Sequence, residues 1–161
     1  MTPDPRTTAV DEREAREEVR NRLLGAWELV SYTATDADGQ VIHPLGPNPH
    51  GLIAYTPDGH MSAQLSRADR PHAGSDRLEE TTKDELAQVA KTYLAYAGSF
   101  DVIDPVTVEH HVTTSLFPNW AGRPQIRTVA FDGEFLKLGI TTPNRLWGAD
   151  RTAELTWRRP N

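Results

Sequence analysis

Two adjacent histidines, His110 and His111, are the residues whose type points most directly to proton transfer. An imidazole titrates near neutral pH and can therefore act as a general acid or base. On a strand, neighbouring side chains point to opposite faces, so only one of the two can face an interior. The apolar alternation of Val108 and Val112 predicts that His110 is the inward one. Two roles stay open for it: a working acid or base, or a core histidine bonded to a backbone carbonyl.

Arg127 is the second residue that could take part in chemistry. It alternates with Val129 and Phe131, which predicts that its guanidinium faces the same side as these apolar groups. A buried guanidinium needs an anionic partner. That partner is either a ligand carboxylate, enolate or phosphate, or a protein acid such as Asp101 or Asp104. If the partner is a ligand anion and His110 also faces inward, the interior contains a proton-transfer group beside a group that stabilises negative charge.

Four further side chains are predicted to line the same interior: Tyr55, Met61, Tyr96 and Trp120. The two tyrosines could donate hydrogen bonds into a cavity, or pack in the core with only the hydroxyl hydrated. Trp120 follows Phe117-Pro-Asn in a connection between two strands. It either shields a ligand from water or plugs the rim.

Several other chemistries lack their sequence signs. The six histidines form no i, i+4 pair on a helix and no His-x-His on a strand, which argues against a zinc site. There is no Gly-x-Ser-x-Gly elbow and no Gly-rich phosphate loop. The absence of cysteine excludes disulfides and thiolate chemistry. We therefore expect neither a metal nor a cofactor.

Composition places limits on the class of protein. A chain of 161 residues fits one domain, which we assign to residues 10–161 after a disordered lead-in over residues 1–9. A net charge of -6, with arginines alternating with acids, argues against a nucleic-acid partner. No apolar run is long enough to cross a bilayer and no signal peptide is recognisable. A cytoplasmic location is expected, and a homodimer through the first helix is possible.

Two helices and about eight strands are predicted. The first helix begins near Asp11, and its narrow apolar stripe predicts that it lies across the outside or one end of the fold. The second, Thr82 to Ala97, starts with a capping box and ends before Gly98. Its face of Leu86, Val89, Tyr93 and Leu94 is expected to pack beside one opening, with residues 66–80 as the mobile gate. Alternating segments elsewhere predict an antiparallel barrel.

Trp27 is predicted to face inward at the start of the first strand. Here Trp27, Leu29 and Ser31 share one face, and Glu28, Val30 and Tyr32 the other. The last strand, ending at Arg158, alternates similarly and is expected to close the barrel against the first. Its Arg158 is the first choice to stack on the Trp27 ring.

These features resemble a known family. A Gly-x-Trp on the first strand, with an Arg near the end of the last, is similar to the lipocalin signature. The blocks LLGAWELVSY, HPLGPNPHGLIAYTPDGHMSAQLSR, YAGSFDV, VEHHVTTSLFPNWAGRPQIR and AELTWRR resemble the bacterial lipocalin-like domain family over nearly all of Leu23 to Pro160. The resemblance implies a mainly β calycin-type barrel with an internal cavity. It also implies, loosely, action on polyketide-like intermediates.

Two functions follow as hypotheses. In the first, the barrel is a cofactor-independent isomerase, cyclase or hydrolase of secondary metabolism, with His110 as general acid or base and Arg127 facing developing negative charge. In the second, it is a carrier or sensor in which the same residues only orient a small hydrophobic or amphipathic metabolite. A filled barrel would exclude both functions.

Overall fold

The structure of the protein, a computed structural model, describes residues 5–161 and consists of a β-barrel with two α-helices. The helices are α1, Pro5–Leu23, and α2, Lys83–Lys91. The strands are β1 Gly25–Asp36, β2 Val41–Ile42, β3 His50–Tyr55, β4 His60–Ser66, β5 Tyr93–Asp104, β6 Thr107–Ser115, β7 Pro124–Asp132, β8 Phe135–Leu146 and β9 Ala149–Arg158. Among the described residues, no helix has the length and apolar character needed to span a membrane.

The barrel is closed by the pairing of its first and last long strands. Each strand from β3 to β8 pairs with the next one along the chain, and β1 pairs with β3 on one side and with β9 on the other. Across the closing pair, Glu28 lies opposite Arg158 and Leu29 opposite Trp157. The short β2 adds only to the far end of β1. The predicted antiparallel barrel of about eight strands is confirmed.

The core follows the alternation of the strands, with one shift in β1. Trp27 and Leu29 are buried as predicted, but a bulge between Leu29 and Ser31 moves the inward face by one residue. Tyr32 and Ala34 are therefore buried, and the prediction that Ser31 shares the face of Trp27 is wrong. A bulge inserts one residue into a strand without any distinctive residue type to announce it.

Helix α1 crosses one end of the barrel, as expected. It begins at Pro5, ahead of the predicted start near Asp11, and residues 1–4 of the predicted lead-in lie outside the described residues. Its Val19 packs on the core, and Leu23 has no exposed surface. We refer to this end, around Leu23, Trp27 and Phe131, as the closed end.

Arg159, and not Arg158, stacks on Trp27 at the closed end. The Arg159 guanidinium carbon lies 3.7 Å from the centre of the indole ring, and its nitrogens donate to the carbonyls of Ala26 and Arg22. Arg158 points outward beside Glu28 because the neighbouring Trp157 faces the core. The predicted Arg158 contact is therefore wrong by one residue.

Gly25 makes room for this arrangement. Its φ of +99° is one that glycine adopts without strain, and a Cβ there would lie 3.0 Å from an Arg159 nitrogen. The turn from α1 into β1 and the stacked arginine both depend on the missing side chain.

Helix α2 is shorter than predicted. Its capping box is present, with Thr82 and Glu85 bonded to each other's backbone N–H, but the helix ends at Lys91. None of its residues is buried, and Leu86 is 40% exposed, so the predicted helical face against the barrel is wrong. The segment from Tyr93 onward forms β5 instead, because pairing with β4 buries Tyr96 in the barrel interior.

Gly98 lies inside β5 and does not end a helix. A Cβ at this position would lie 1.8 Å from the His111 carbonyl oxygen on β6. Glycine is therefore required by the close approach of two strand backbones at a bulge, a use of glycine common in curved sheets.

Candidate functional site

The end of the barrel opposite α1 opens into a cavity of about 1090 Å³. This volume is at the upper end of what small-molecule sites commonly offer. Most of its wall is apolar or aromatic, and those residues include Tyr32, Ile53, Leu65, Leu94, Tyr96, Phe117, Trp120, Leu138, Ile140, Leu155 and Trp157. We refer to this end as the open end. A filled barrel is excluded by this space.

The charged groups in the cavity wall are all cationic. Arg123, Arg127 and Arg145 line it, and no Asp or Glu among the described residues does. Arg145 lies 4.0 Å from Asp150 outside the cavity. In a chain of net charge -6, this concentrates positive charge at the wall of the cavity.

Arg127 lies on β7 and is half-buried. It donates to the Ile126 carbonyl at 2.9 Å and to the Gln125 side-chain oxygen at 3.2 Å. Within residues 5–161 it forms no ion pair: Asp101 lies beside His111, and Asp104 accepts from the backbone of its own turn. The alternative in which Arg127 pairs with either acid is wrong.

His110 lies beneath the cavity and not in its wall. It has no exposed surface, and both ring nitrogens contact tyrosines. Nε2 lies 2.9 Å from the Tyr55 hydroxyl, and Nδ1 lies 2.9 Å from the Tyr96 hydroxyl. Of this chain of three side chains, only Tyr96 reaches the cavity. The inward orientation of His110 is confirmed, while a direct contact with a ligand is not possible in this arrangement.

Burial keeps all three members of this chain uncharged at neutral pH. Burial lowers the pKa of His110 to about 3, helped by smaller electrostatic effects of the Arg127 and His111 side chains. Burial likewise raises the pKa of Tyr55, with a smaller contribution from Tyr96. It raises the pKa of Tyr96 too, and there the nearby Arg127 opposes the shift. A neutral imidazole therefore lies between two neutral phenols.

The chain's sequence matches a known family over most of its length. The lipocalin-like domain family is matched by residues 24–160. The chain belongs to this family. A relative in Aspergillus oryzae, the 4'-hydroxy-3'-methoxypropiophenone carrier protein ppsC, is 36% identical over 106 residues, covering 62% of this chain and 96% of the relative. The resemblance to the lipocalin-like domain family is confirmed, and so is the barrel fold that it implied.

The six predicted site residues separate into two layers of the lipocalin-like barrel. Tyr96, Trp120 and Arg127 lie in the cavity wall. The others, Tyr55, His110 and Met61, are buried below it; Met61 is opposite Tyr55 in the β3–β4 ladder. The adjacent strands of His110 and Arg127 are as predicted, since β6 pairs with β7.

The rim of the cavity is built by two connections. In the β6–β7 connection, Trp120 packs edge-on against Tyr96 and Phe117, at ring-centre distances of 6.1 and 5.8 Å. The second is the long β8–β9 hairpin, whose residues 141–147 line the opening. No residue of the predicted gate, 66–80, is in the lining.

The sequence did not reveal two parts of this site. Tyr32 enters the wall only because of the bulge in β1, for which the residues give no signal. The hairpin extension of β8 beyond Ile140 contains Pro143 and polar residues and has no apolar alternation. The signal available there was the Trp-Gly turn: Trp147 has a φ of 54° and Gly148 one of 88°, as tight hairpins require.

His111 faces outward, between Asp101 and Glu109 at 3.1 and 3.4 Å. In the described part of the chain, no group of three or more His, Cys, Asp or Glu side chains lies together in a way that could hold a metal ion.

Proposed function

We propose that this lipocalin-like barrel binds a small, mostly apolar aromatic metabolite with an anionic or carbonyl oxygen, and that it acts as a carrier. The observation that carries the proposal is the charge of the cavity wall: three arginines and no carboxylate from the described residues, set among aromatic side chains. Such a wall favours an electron-rich oxygen at the arginines and a ring against the apolar surface.

Arg127 is the side chain that we expect to orient the ligand. Its position is fixed by its bonds to Ile126 and Gln125, yet its charge is not neutralised by a protein acid within the described residues. A ligand carboxylate or enolate would supply the missing anion, and a charge-assisted hydrogen bond to it contributes about 1.5 to 3 kcal/mol.

A carrier agrees better with the geometry than an enzyme does. The group expected to transfer protons, His110, is separated from the cavity by Tyr96, and its two nitrogens are already hydrogen-bonded. The relative with 36% identity is named as a carrier of an aryl ketone, which supports the same class of ligand here. We extend to this chain the expectation of polyketide-like, aromatic secondary metabolites.

An isomerase or cyclase is the second candidate, and one observation favours it. The hydrogen-bonded chain from Tyr96 to His110 and Tyr55 would let an imidazole act on a ligand through one phenol. In that case His110 would be a positioning residue and Tyr96 the group in contact with the substrate. The cytoplasmic location expected from the sequence stays a prediction, and so does the alternative of a homodimer through the first helix.

The experiment compares two probes of one shape, cinnamate and cinnamyl alcohol, by titration calorimetry. The wild-type protein is expected to prefer cinnamate. Arg127→Gln should weaken cinnamate binding by about 10- to 100-fold, and cinnamyl alcohol binding much less. Arg158→Gln, on the outer surface beside Glu28, is the matched control and should leave both unchanged.

Equal affinity of wild-type protein for the two probes, or equal losses in Arg127→Gln, would contradict the proposed role of the cationic wall. To separate carrier from enzyme, 4'-hydroxy-3'-methoxypropiophenone, the compound in the name of the relative, is incubated with the protein and recovered. Binding with unchanged compound supports the carrier, and conversion that is lost in His110→Gln supports the second candidate.

A further inference from the structure

The hydroxyl of Tyr55 has one hydrogen-bond partner. Tyr55 is 1% exposed, and the Nε2 atom of His110 is the only polar atom recorded within hydrogen-bond distance of its hydroxyl in the described part of the chain. The ring also packs edge-on against Phe100, with 4.9 Å between ring centres. In the described part of the chain the imidazole is therefore the single hydrogen-bond partner available to this O–H.

A neutral imidazole has one N–H donor and one acceptor nitrogen. The imidazole of His110 lies between two phenols, so it donates to one tyrosine and accepts from the other. The directions of both hydrogen bonds, to Tyr55 and to Tyr96, are therefore decided by which ring nitrogen of His110 carries the proton.

The two tautomers differ in what they leave unsatisfied. With the proton on Nε2, the imidazole donates to the Tyr55 oxygen. The Tyr55 O–H is then buried without an acceptor, and leaving a buried donor unpaired costs free energy of folding. With the proton on Nδ1, Tyr55 donates to Nε2 and the imidazole donates to the Tyr96 oxygen. Every buried N–H and O–H of Tyr55 and His110 then has a partner.

We infer that Tyr55 fixes His110 in the Nδ1–H tautomer, and that the Tyr96 hydroxyl, with its oxygen already accepting from His110, donates its own proton into the cavity. The inference deepens the proposed function and rests on it for the identity of the ligand. Tyr96 and Arg127 are both in the cavity wall, and the Tyr96 phenol lies beside Arg127, so a ligand oxygen bound at Arg127 would lie near the Tyr96 O–H.

This assignment narrows the class of ligand. Tyr96 and Arg127 would both be donors to a ligand, and the two side chains are neighbours, since burial raises the pKa of Tyr96 while the charge of Arg127 and a hydrogen bond from its side chain both oppose that rise. Two converging donors select an oxygen that accepts two hydrogen bonds, as a ketone, enolate or carboxylate does. A ligand that offers only C–H groups at this point would leave both donors unpaired, which costs affinity. Tyr96 is thus a specificity-determining residue, and Tyr55 and His110 are positioning residues.

The tautomer can be measured without a ligand. In the full chain labelled with nitrogen-15, the two ring nitrogens of His110 give separate signals in a long-range nitrogen–proton NMR spectrum. We expect Nδ1 to be protonated and Nε2 unprotonated near neutral pH. Tyr55→Phe removes the donor to Nε2, so it should bring the two tautomers closer in population. A protonated Nε2 in wild-type protein, or an unchanged spectrum in Tyr55→Phe, would overturn the inference.

The donor role of Tyr96 is tested with propiophenone and propylbenzene, which share a skeleton and differ in the ketone oxygen. Tyr96→Phe should weaken propiophenone binding about three- to tenfold and change propylbenzene binding by less than about twofold. Tyr93→Phe is the matched control, because Tyr93 packs against Arg70 away from the cavity. Equal losses for both probes in Tyr96→Phe would overturn the donor role. Failure of wild-type protein to bind either probe would refute the proposed function, whereas an Nε2–H tautomer would refute this inference alone.

Discussion

At the closed end of the lipocalin-like barrel Arg159 lies 3.7 Å from the Trp27 ring centre and Arg22 lies 3.8 Å from that of Phe131. At the open end Arg127 lines a cavity and, within the described residues, has neither an aromatic ring beneath it nor a carboxylate beside it. Both ends combine arginine with aromatic side chains. At the closed end these arginines stack on the rings, whereas among the described residues that line the cavity no arginine stacks on a ring, which indicates that the closed end stabilises the fold and the cavity is left to bind something else.

The largest expected difference between the ends concerns their tryptophans. Trp27 is 4% exposed and its indole N–H donates to the Leu23 carbonyl at 2.8 Å, whereas Trp120 is half-buried at the rim. Trp27→Ala should lower the free energy of unfolding by about 3 to 5 kcal/mol, as removal of a packed indole does. Trp120→Ala should cost under about 1.5 kcal/mol.

Urea denaturation followed by circular dichroism gives both values. If Trp27→Ala does not fold, Trp27→Phe keeps most of the packing and should still lose about 1 to 3 kcal/mol. Equal losses at Trp27 and Trp120 would show that the rim stabilises the fold as much as the closed end does.

The next effect compares two adjacent arginines of the closed end. Arg159→Gln removes the stacking on Trp27 and two hydrogen bonds to carbonyls, for a loss of about 2 kcal/mol. Arg158→Gln removes only an exposed contact with Glu28, for which about 0.5 kcal/mol or less is expected. The same denaturation measurement ranks them, and a larger loss at Arg158 would favour the contact predicted from the sequence over the one in the structure.

Between the two ends, His110 should make stability depend on pH. Its pKa falls from 6.5 to about 3 on folding, chiefly through burial. Below pH 6.5 the unfolded chain binds a proton that the folded chain does not, so this contribution to stability is complete above that pH and is lost as pH falls toward 3. Between about pH 7.5 and about pH 5.5 the loss is about 1.4 kcal/mol.

His110→Gln removes this titration. We expect the free energy of unfolding of the variant to fall by about 1.4 kcal/mol less than that of wild type over the same pH interval, whatever the substitution costs at high pH. Parallel pH dependences for the two proteins would mean that folding does not lower the pKa of His110, and would also weaken the assignment of a neutral imidazole to the hydrogen-bonded series Tyr55–His110–Tyr96.

The sequence predicted the barrel because alternation is a local property of each strand. Trp27, His110 and Arg127 each share the periodicity of their apolar neighbours, and each faces inward. Depth along the barrel axis is not a local property. The pattern therefore could not separate Arg127, in the cavity wall, from His110, one layer below and covered by Tyr96.

The errors of register and element type have similar causes. Apolar residues from Leu86 to Ala97 fit a helical period, but the pairing of Leu94 with Leu65 and of Tyr96 with Ala63 favours a strand from Tyr93 onward. A bulge in β1 turns Tyr32 inward, and the residue that stacks on Trp27 is Arg159, just after the end of β9, and not Arg158. Each of these features depends on contacts with residues that are distant in sequence.

The smallest expected effect is the one that best separates the two ends. Arg127→Gln should change the free energy of unfolding of the ligand-free protein by no more than about 0.5 kcal/mol, in either direction. The change is small because a cation without an acidic partner contributes little to the stability of the fold. Arg159→Gln, the same substitution, costs about 2 kcal/mol at the closed end.

The two variants are compared by urea denaturation in low salt, where an effect of the uncompensated charge is least screened. A loss in Arg127→Gln as large as that in Arg159→Gln would mean that Arg127 holds the β7 wall through Gln125 and Ile126, and the open end would then be stabilised like the closed one. A near-zero change, together with weakened cinnamate binding, would show that the charge at the open end is maintained for a ligand.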